Sequence, residues 1–304
     1  MKKLLSRYFP VMQSHPERVS DWEQCKKLKP HHRYSAAEFD VIDCTMRAPI
    51  PEVSGYRILF VSDWHWHNSA RNFRQLQSLE KCAAEISPDV LVLGGDMVED
   101  ADVIDTLPEV LARLRKLAPE CIAVMGNWET GKRWLKKEFW QQLYADAGIT
   151  LLCNQSKICG AVRFHGIEDI SSGNCLLPEK DDPAISRPGS APLAEVIIAH
   201  SPDTIVALDE NMALYHYDAA LCGHNHGGQI RLPLLGALFC PSRYGKTFAK
   251  GCFIRKNSRF KMFVSAGIGE KRRSFRLFCP PEVALLTFRQ ARHYRHRKSS
   301  EVQE

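Results

Sequence analysis

Seven residues of this 304-residue chain combine two properties: their side chains can hold hard or borderline metal ions, and each closes an apolar run. Asp63 ends RILFVSD, and His65 lies two residues beyond it. Asp96 ends DVLVLGGD, and Asn127 ends CIAVMGN. His200 ends AEVIIAH, and His224 and His226 follow DAALC. A lone buried histidine is more often a hydrogen-bonded core residue than a ligand, but five runs ending in the same kind of donor are hard to obtain by accident. The set is Asp, His and Asn with no thiolate, which favours Mn, Fe, Zn or Mg over a structural cysteine-type zinc site. Seven donors exceed one tetrahedral ion and suit two ions with a shared carboxylate.

The runs themselves read as buried strands, because continuous apolar stretches of this length suit sheets covered on both faces. Between them lie helical patterns. Phe73, Leu76, Leu79, Ala83 and Ile86 form one stripe; a second pattern runs from about Thr106 to Leu117; a third runs from Lys132 to Ala147 with Leu135, Phe139 and Leu143 facing inward. This β-α-β-α-β order predicts a parallel sheet with crossover helices. AVRFHGI, AEVIIAHS, DAALCGH, KMFVSAG and VALLTF extend the strand count with shorter connections. Ligands of open α/β sheets bind at the carboxyl ends of strands, which is where the seven donors stand.

In order, DWH, GGDM, GNWE, AHSPD and CGHNHGGQ resemble the five blocks of the calcineurin-like metallophosphoesterase family. KMFVSAGIG and FRLFCPPEVALLTF resemble the end of a bacterial branch of membrane-associated, lipid-related phosphodiesterases. The chain is similar also to the UDP-diacylglucosamine pyrophosphatase group. The resemblance implies a four-layer αββα sandwich, two mixed β-sheets flanked by helices. It implies two divalent cations, about 3.5–4 Å apart in such sites, and hydrolysis of a phosphodiester or pyrophosphate bond by a bridging hydroxide. On the matching positions it places Asp63, His65 and His226 on one ion and Asn127, His200 and His224 on the other, with Asp96 bridging. Asp96, Asn127 and His200 are thereby implied as catalytic.

One block departs from the family pattern. Where the family has a histidine that can protonate the leaving group, this chain has Trp128, an indole with no titratable proton. Three readings stay open. The substrate has a leaving group that needs little protonation, as in a pyrophosphate-linked lipid nucleotide such as UDP-diacylglucosamine. Alternatively His67, two residues beyond His65, supplies the proton. Or catalysis has weakened, and the fold serves as a metal-bound interaction module. A general phosphodiesterase or nuclease is the remaining enzymatic alternative, although no aromatic-basic groove or DNA-binding motif argues for nucleic acid. Glu168 and Asp169 in HGIEDI resemble a family acidic spot near the metals and are expected at most to orient a ligand histidine, and Glu129, after Trp128, is expected to face the substrate or to support the ligands. Arg276 is expected in a structural pairing near the sheet end.

Composition sets outer bounds. With 44% hydrophobic and 25% charged residues the chain is an ordinary globular one. The net charge of +6 is mild and fits an anionic substrate or an anionic membrane surface. Basic clusters occur at Lys132–Lys137, Lys271–Arg273 and Arg289–Lys298. Trp134, Phe139, Trp140 and Tyr144 interleave with the first, as helix core or as a membrane-interface stripe. Eleven scattered cysteines without a CxxC pair predict a reduced, cytoplasmic chain, peripheral on the inner membrane if those basic clusters touch lipid. The opening segment is broken by Ser6, Arg7 and Pro10, too polar for a secretory signal; a short interfacial anchor is the other reading. Residues 1–55 are read as an N-terminal extension, 56–289 as the metallophosphoesterase domain and 290–304 as a basic, disordered tail.

Overall fold

Along RILFV the side chains alternate between two apolar compartments: Ile58 and Phe60 point one way, Leu59 and Val61 the other, and all four are buried. The same alternation in the neighbouring strands builds a sheet covered on both faces, which is why no polar residue interrupts these runs. The computed structural model describes residues 16–290 except 27, 32, 132–134, 171–173, 177–193, 211–213, 215 and 271–274. The opening segment, the basic tail after Arg289, Trp134, most of the 170–191 loop and the Lys271–Arg273 cluster lie outside the described residues.

The first sheet has six strands. β2 (Asp40–Arg47) pairs in parallel with β15 (Glu282–Arg289), which pairs antiparallel with β3 (Arg57–Val61). Parallel pairing then continues through β4 (Val90–Leu93), β5 (Glu120–Ala123) and β6 (Thr150–Leu151). In the second sheet β13 (Gly251–Arg255) lies between β1 (Trp22–Gln24) and β14 (Lys261–Val264) and is antiparallel to both. β14 then lies parallel to β10 (Ala219–Cys222), followed by β9 (Ala194–Ala199) and β8 (Val162–Ile167), and antiparallel β7 (Gln155–Cys159) forms the edge. A small hairpin joins β11 (Arg231–Leu232) to β12 (Gly236–Ala237).

Three apolar cores separate four layers. Between the sheets, Phe60, Val92 and Ile122 meet Phe164, Ile198 and Phe263. The Phe60 and Phe263 rings touch edge-to-face at 6.4 Å between centroids, an arrangement that contributes about 0.5–1.5 kcal/mol beyond area burial. Outside the first sheet, α1 (Ala70–Ile86), α2 (Leu107–Arg115) and α4 (Lys137–Asp146) cover Leu59, Leu91 and Leu93. Outside the second, α5 (Pro202–Glu210) covers Ile197, Ala199 and Ala220. The short α3 (Asn127–Gly131) follows β5. The expected αββα sandwich of two mixed sheets is the observed fold.

α1 starts at a capping box formed by Ser69 and Asn72 and buries Leu76, Leu79, Ala83 and Ile86 as expected. Phe73 instead sits at the margin, 37% exposed, its ring edge-on to Trp66. Trp140 and Tyr144 are buried in the outer core, so neither can face a membrane; the interfacial reading of Trp140 is corrected because its helix needs that face against the sheet. Lys137 is engaged by Glu168 at 2.7 Å. The stretch taken as an extension supplies one strand to each sheet. All eleven cysteines are free thiols. Burial raises Cys121, Cys159 and Cys222, Cys121 to about 12, which makes them inert packing groups. Among the described residues no helix is long and apolar enough to cross a membrane.

Candidate active site

The carboxyl ends of β3, β4 and β5 in one sheet and of β9 and β10 in the other bring all seven predicted donors into one cleft. Asp63, His65 and His226 form one group and Asp96, His200 and His224 a second; within each, the candidate ligand atoms lie within 4.8 Å of one another. Asp96 Oδ2 stands between the groups, 3.2 Å from His200 Nε2 and 3.8 Å from His65 Nε2. Asn127 Oδ1 lies 3.1 Å from His200 Nε2 and 2.8 Å from His224 Nδ1. His65 and His226 present their Nε2 atoms to each other at 3.0 Å, and His226 Nε2 is 3.6 Å from Asp63 Oδ1.

Backbone carbonyls select the ring atoms that face the cleft. His200 Nδ1–H donates to Gly94 O at 2.8 Å, which leaves Nε2 toward Asp96. His224 Nε2–H donates to Pro241 O at 3.1 Å, which leaves Nδ1 toward Asn127. Metal-binding histidines need this kind of outer hydrogen bond to fix tautomer and orientation.

The backbone is bent to achieve this convergence. Asp63, His65, Asp96, His224 and His226 all have φ between 48° and 71°, the left-handed region. Non-glycine residues rarely adopt it, and such strain collects at functional sites. Gly95, at φ 86°, brings the β4 loop against the β5 loop: a Cβ there would lie 2.6 Å from Gly126 N.

Glu129, expected beside the ligands, is the clasp of these loops. Its carboxylate accepts from the N–H groups of Gly126, Asp96 and Met97 at 2.7–3.0 Å. Trp128 N–H donates to Asp96 Oδ1 at 2.8 Å, and its indole packs edge-on to the His65 ring. His67 Nδ1–H donates to His65 O at 2.9 Å, with Glu99 at 3.9 Å. Asp169 is buried, and its charge acts on His200.

Four groups here are shifted from their ordinary ionisation. Burial, with the Asp96 charge adding, raises Glu129 to about 7. Burial raises Asp63, with His200 opposing and Asp96 adding. Burial also acts to raise Asp96, but the charge and hydrogen bond of His200 outweigh it and hold the carboxyl at about 2. His200 is opposed by burial yet driven well above the imidazole range, first by Asp96 and then by Asp63. The cluster therefore demands positive charge and meets that demand with a proton when no cation is bound. Left-handed donors, fixed tautomers, an Asp/His/Asn set and this electrostatic demand all fit divalent cations.

Two contributions carry no sequence signal. Gly94 and Pro241 act through backbone oxygens, which any residue type supplies. Arg276, expected in a structural pairing, inserts its guanidinium among carbonyls, bonding those of Ala266, Gly267 and Gly269 and reaching the His226 oxygen at 3.3 Å. It thereby ties the loop after β14 to the loop that carries His226.

An αββα sandwich with such a donor cluster between its sheets defines a metal-dependent hydrolase of phosphoric esters. Residues 56–228 match calcineurin-like phosphoesterases, and the chain belongs to that family. It is 30% identical to phosphodiesterase YaeI of Escherichia coli over 76% of this chain and 81% of that protein. It is 26% identical to metallophosphoesterase YkuE of Bacillus subtilis over 77% and 79%. Similarity to UDP-2,3-diacylglucosamine pyrophosphatase LpxG of Chlamydia muridarum is 25% identity over 88% of this chain and 93% of that one.

Proposed function

We propose that this phosphoesterase hydrolyses a pyrophosphate diester, with a nucleotide-diphospho-lipid as its substrate class. In this reading Asp63, His65 and His226 hold one divalent cation, Asn127, His200 and His224 hold a second, and Asp96 serves both. Cations bound there would acidify a coordinated water and neutralise phosphoryl oxygens. The chain's own residues do the positioning. Gly94 O and Pro241 O aim the imidazoles, Glu129 and the Trp128 N–H hold the Asp96 loop, and Asp96 itself stays ionised at neutral pH.

The observation that carries the substrate reading is Trp128. Its indole packs on His65 and offers no transferable proton to a leaving oxygen. General acid assistance contributes about 10²–10⁴-fold, so a site without it suits a leaving group that departs as a stable anion. The phosphate of a pyrophosphate link does so; an alkoxide does not. The likeness to a lipid pyrophosphatase points the same way.

The test compares cation-dependent turnover of a pyrophosphate diester, UDP-diacylglucosamine included, with that of an alkyl phosphodiester and of a nitrophenyl phosphodiester. Mn, Zn, Fe and Mg are each supplied, and Asp96→Ala is the control. The reading expects the pyrophosphate and nitrophenyl esters to be cleaved and the alkyl ester to lag. Equal rates on alkyl and pyrophosphate diesters would overturn the substrate class. Cation binding with no turnover above Asp96→Ala would favour the metal-bound interaction module that Trp128 also permits.

A further inference from the structure

We propose that the rim beside the donor cluster is a docking surface for an anionic lipid bilayer. Of nine large apolar side chains exposed among the described residues, seven fall on two short segments. Leu234, Leu235, Leu238 and Phe239 lie on and just after the β11–β12 hairpin, and Phe275, Leu277 and Phe278 lie before β15. Leu234 at the hairpin turn is fully exposed, at 107%, and Phe239 and Phe278 are 72% and 68% exposed. Monomeric proteins seldom leave so much apolar surface in one place without a partner for it.

The two segments form one structure. Ile230 and Leu277 make a parallel bridge, Arg231 N–H donates to Leu277 O at 2.9 Å, and Leu277 N–H donates to Gln229 O at 3.0 Å. Both are anchored to the donor loops. Gln229 is three residues beyond His226, Arg276 reaches the His226 oxygen, and Pro241 O, just past the hairpin, accepts from His224. The apolar rim therefore begins where the ligand loop ends.

Charge selects the partner. The described residues 226–256 and 275–281 contain seven lysines and arginines and no carboxylate, whereas at the chain's average of 35 acids in 304 residues a stretch of that length carries about four. Lys250 and Arg255 are ion-paired to Glu282 and Asp209 and serve the fold. Arg243 and Lys246 are exposed. Protruding leucines and phenylalanines beside the exposed cations Arg243 and Lys246 match a bilayer interface bearing anionic headgroups. This inference rests on the surface and is independent of which phosphoester the site cleaves.

The test is flotation of the full chain with vesicles of phosphatidylcholine, alone or mixed with phosphatidylglycerol. Binding to the anionic vesicles, weakened by salt, is the expected result. Leu234→Ser/Leu235→Ser should weaken it at least ~10-fold, because two inserted leucines are lost. Arg243→Glu/Lys246→Glu should weaken binding to anionic vesicles by a similar factor. Hydrolysis of a soluble nitrophenyl diester should stay within about twofold of the parent in the leucine variant, since the substituted side chains point to solvent. Absence of binding to anionic vesicles at low salt would overturn the proposal. So would unchanged binding by the leucine variant, or a dimer in sedimentation that this variant dissociates while vesicle binding persists, which would assign the rim to a second copy. A chain that binds vesicles but ignores lipid pyrophosphates would keep this inference and lose the substrate reading.

Discussion

Gly126→Ala adds one carbon where the β4 and β5 loops meet. That Cβ would lie 2.1 Å from Asp96 Oδ1 and 2.4 Å from the Asp96 backbone nitrogen, against an ordinary contact distance of at least 3.4 Å. Relief requires the Asp96 backbone to retreat by about 1 Å, since a backbone atom cannot rotate away as a flexible side-chain end can. The same movement strains the N–H bonds that Asp96 and Gly126 give to Glu129, and the Trp128 N–H bond to Asp96. Overpacking of this kind costs about 1–3 kcal/mol of stability, and misplacing a reacting group by ~1 Å costs about 10²-fold in rate. Gly131→Ala is the control, because nothing lies within 4 Å of its added Cβ. Calorimetric titration of the metal-free protein with manganese, alongside nitrophenyl diester hydrolysis, reads both effects. Gly126→Ala should lose about 10–100-fold in cation affinity and at least as much in turnover, while Gly131→Ala stays near the parent. If Gly126→Ala binds two cations with unchanged affinity and turns over within threefold of the parent, by order of magnitude, Asp96 does not stand between the cations and the geometric argument is refuted.

Three further outcomes follow from the same geometry. Cation binding at neutral pH should release a proton, because Asp96 and Asp63 keep His200 protonated well above its ordinary range and a cation must displace that proton. Affinity should therefore rise with pH and level off above the His200 pKa, and calorimetry in buffers of different ionisation enthalpy reads the proton directly; zero release would contradict the reading. Trp128→His should raise alkyl diester hydrolysis by about 10²-fold and add an acidic group to the pH profile, with little change on pyrophosphate diesters; an unaltered preference would mean that the leaving group was never the issue. Arg276→Met should destabilise by about 2–4 kcal/mol in urea unfolding, because it strands buried carbonyls of the β14 and His226 loops, and Arg276→Lys should recover only part with its fewer donors.

The sequence alone determined a good deal. RILFVSD, DVLVLGGD and CIAVMGN declare buried strands because both faces of their sheet are covered, and a run covered on both faces must be apolar throughout. The donors at their ends stand out because Asp, His and Asn are costly beside such runs unless they are used. Other features were not legible. DVIDCTMR mixes acids into its alternation, so the strand pairing with β15 is hidden within a stretch that reads as an extension. Trp140 beside lysines could be core or interface, and only the packing of α4 against the first sheet put it inside. Glu129 could have faced substrate, but its three backbone donors made it a clasp. The tautomers of His200 and His224 depend on the oxygens of Gly94 and Pro241, and a backbone carbonyl has no residue identity to read. The apolar rim likewise exists because Gln229, Arg231 and Leu277 join segments more than thirty residues apart. Residue type records what an atom can do chemically. Only the folded chain records which way that atom points and what lies within three ångströms of it.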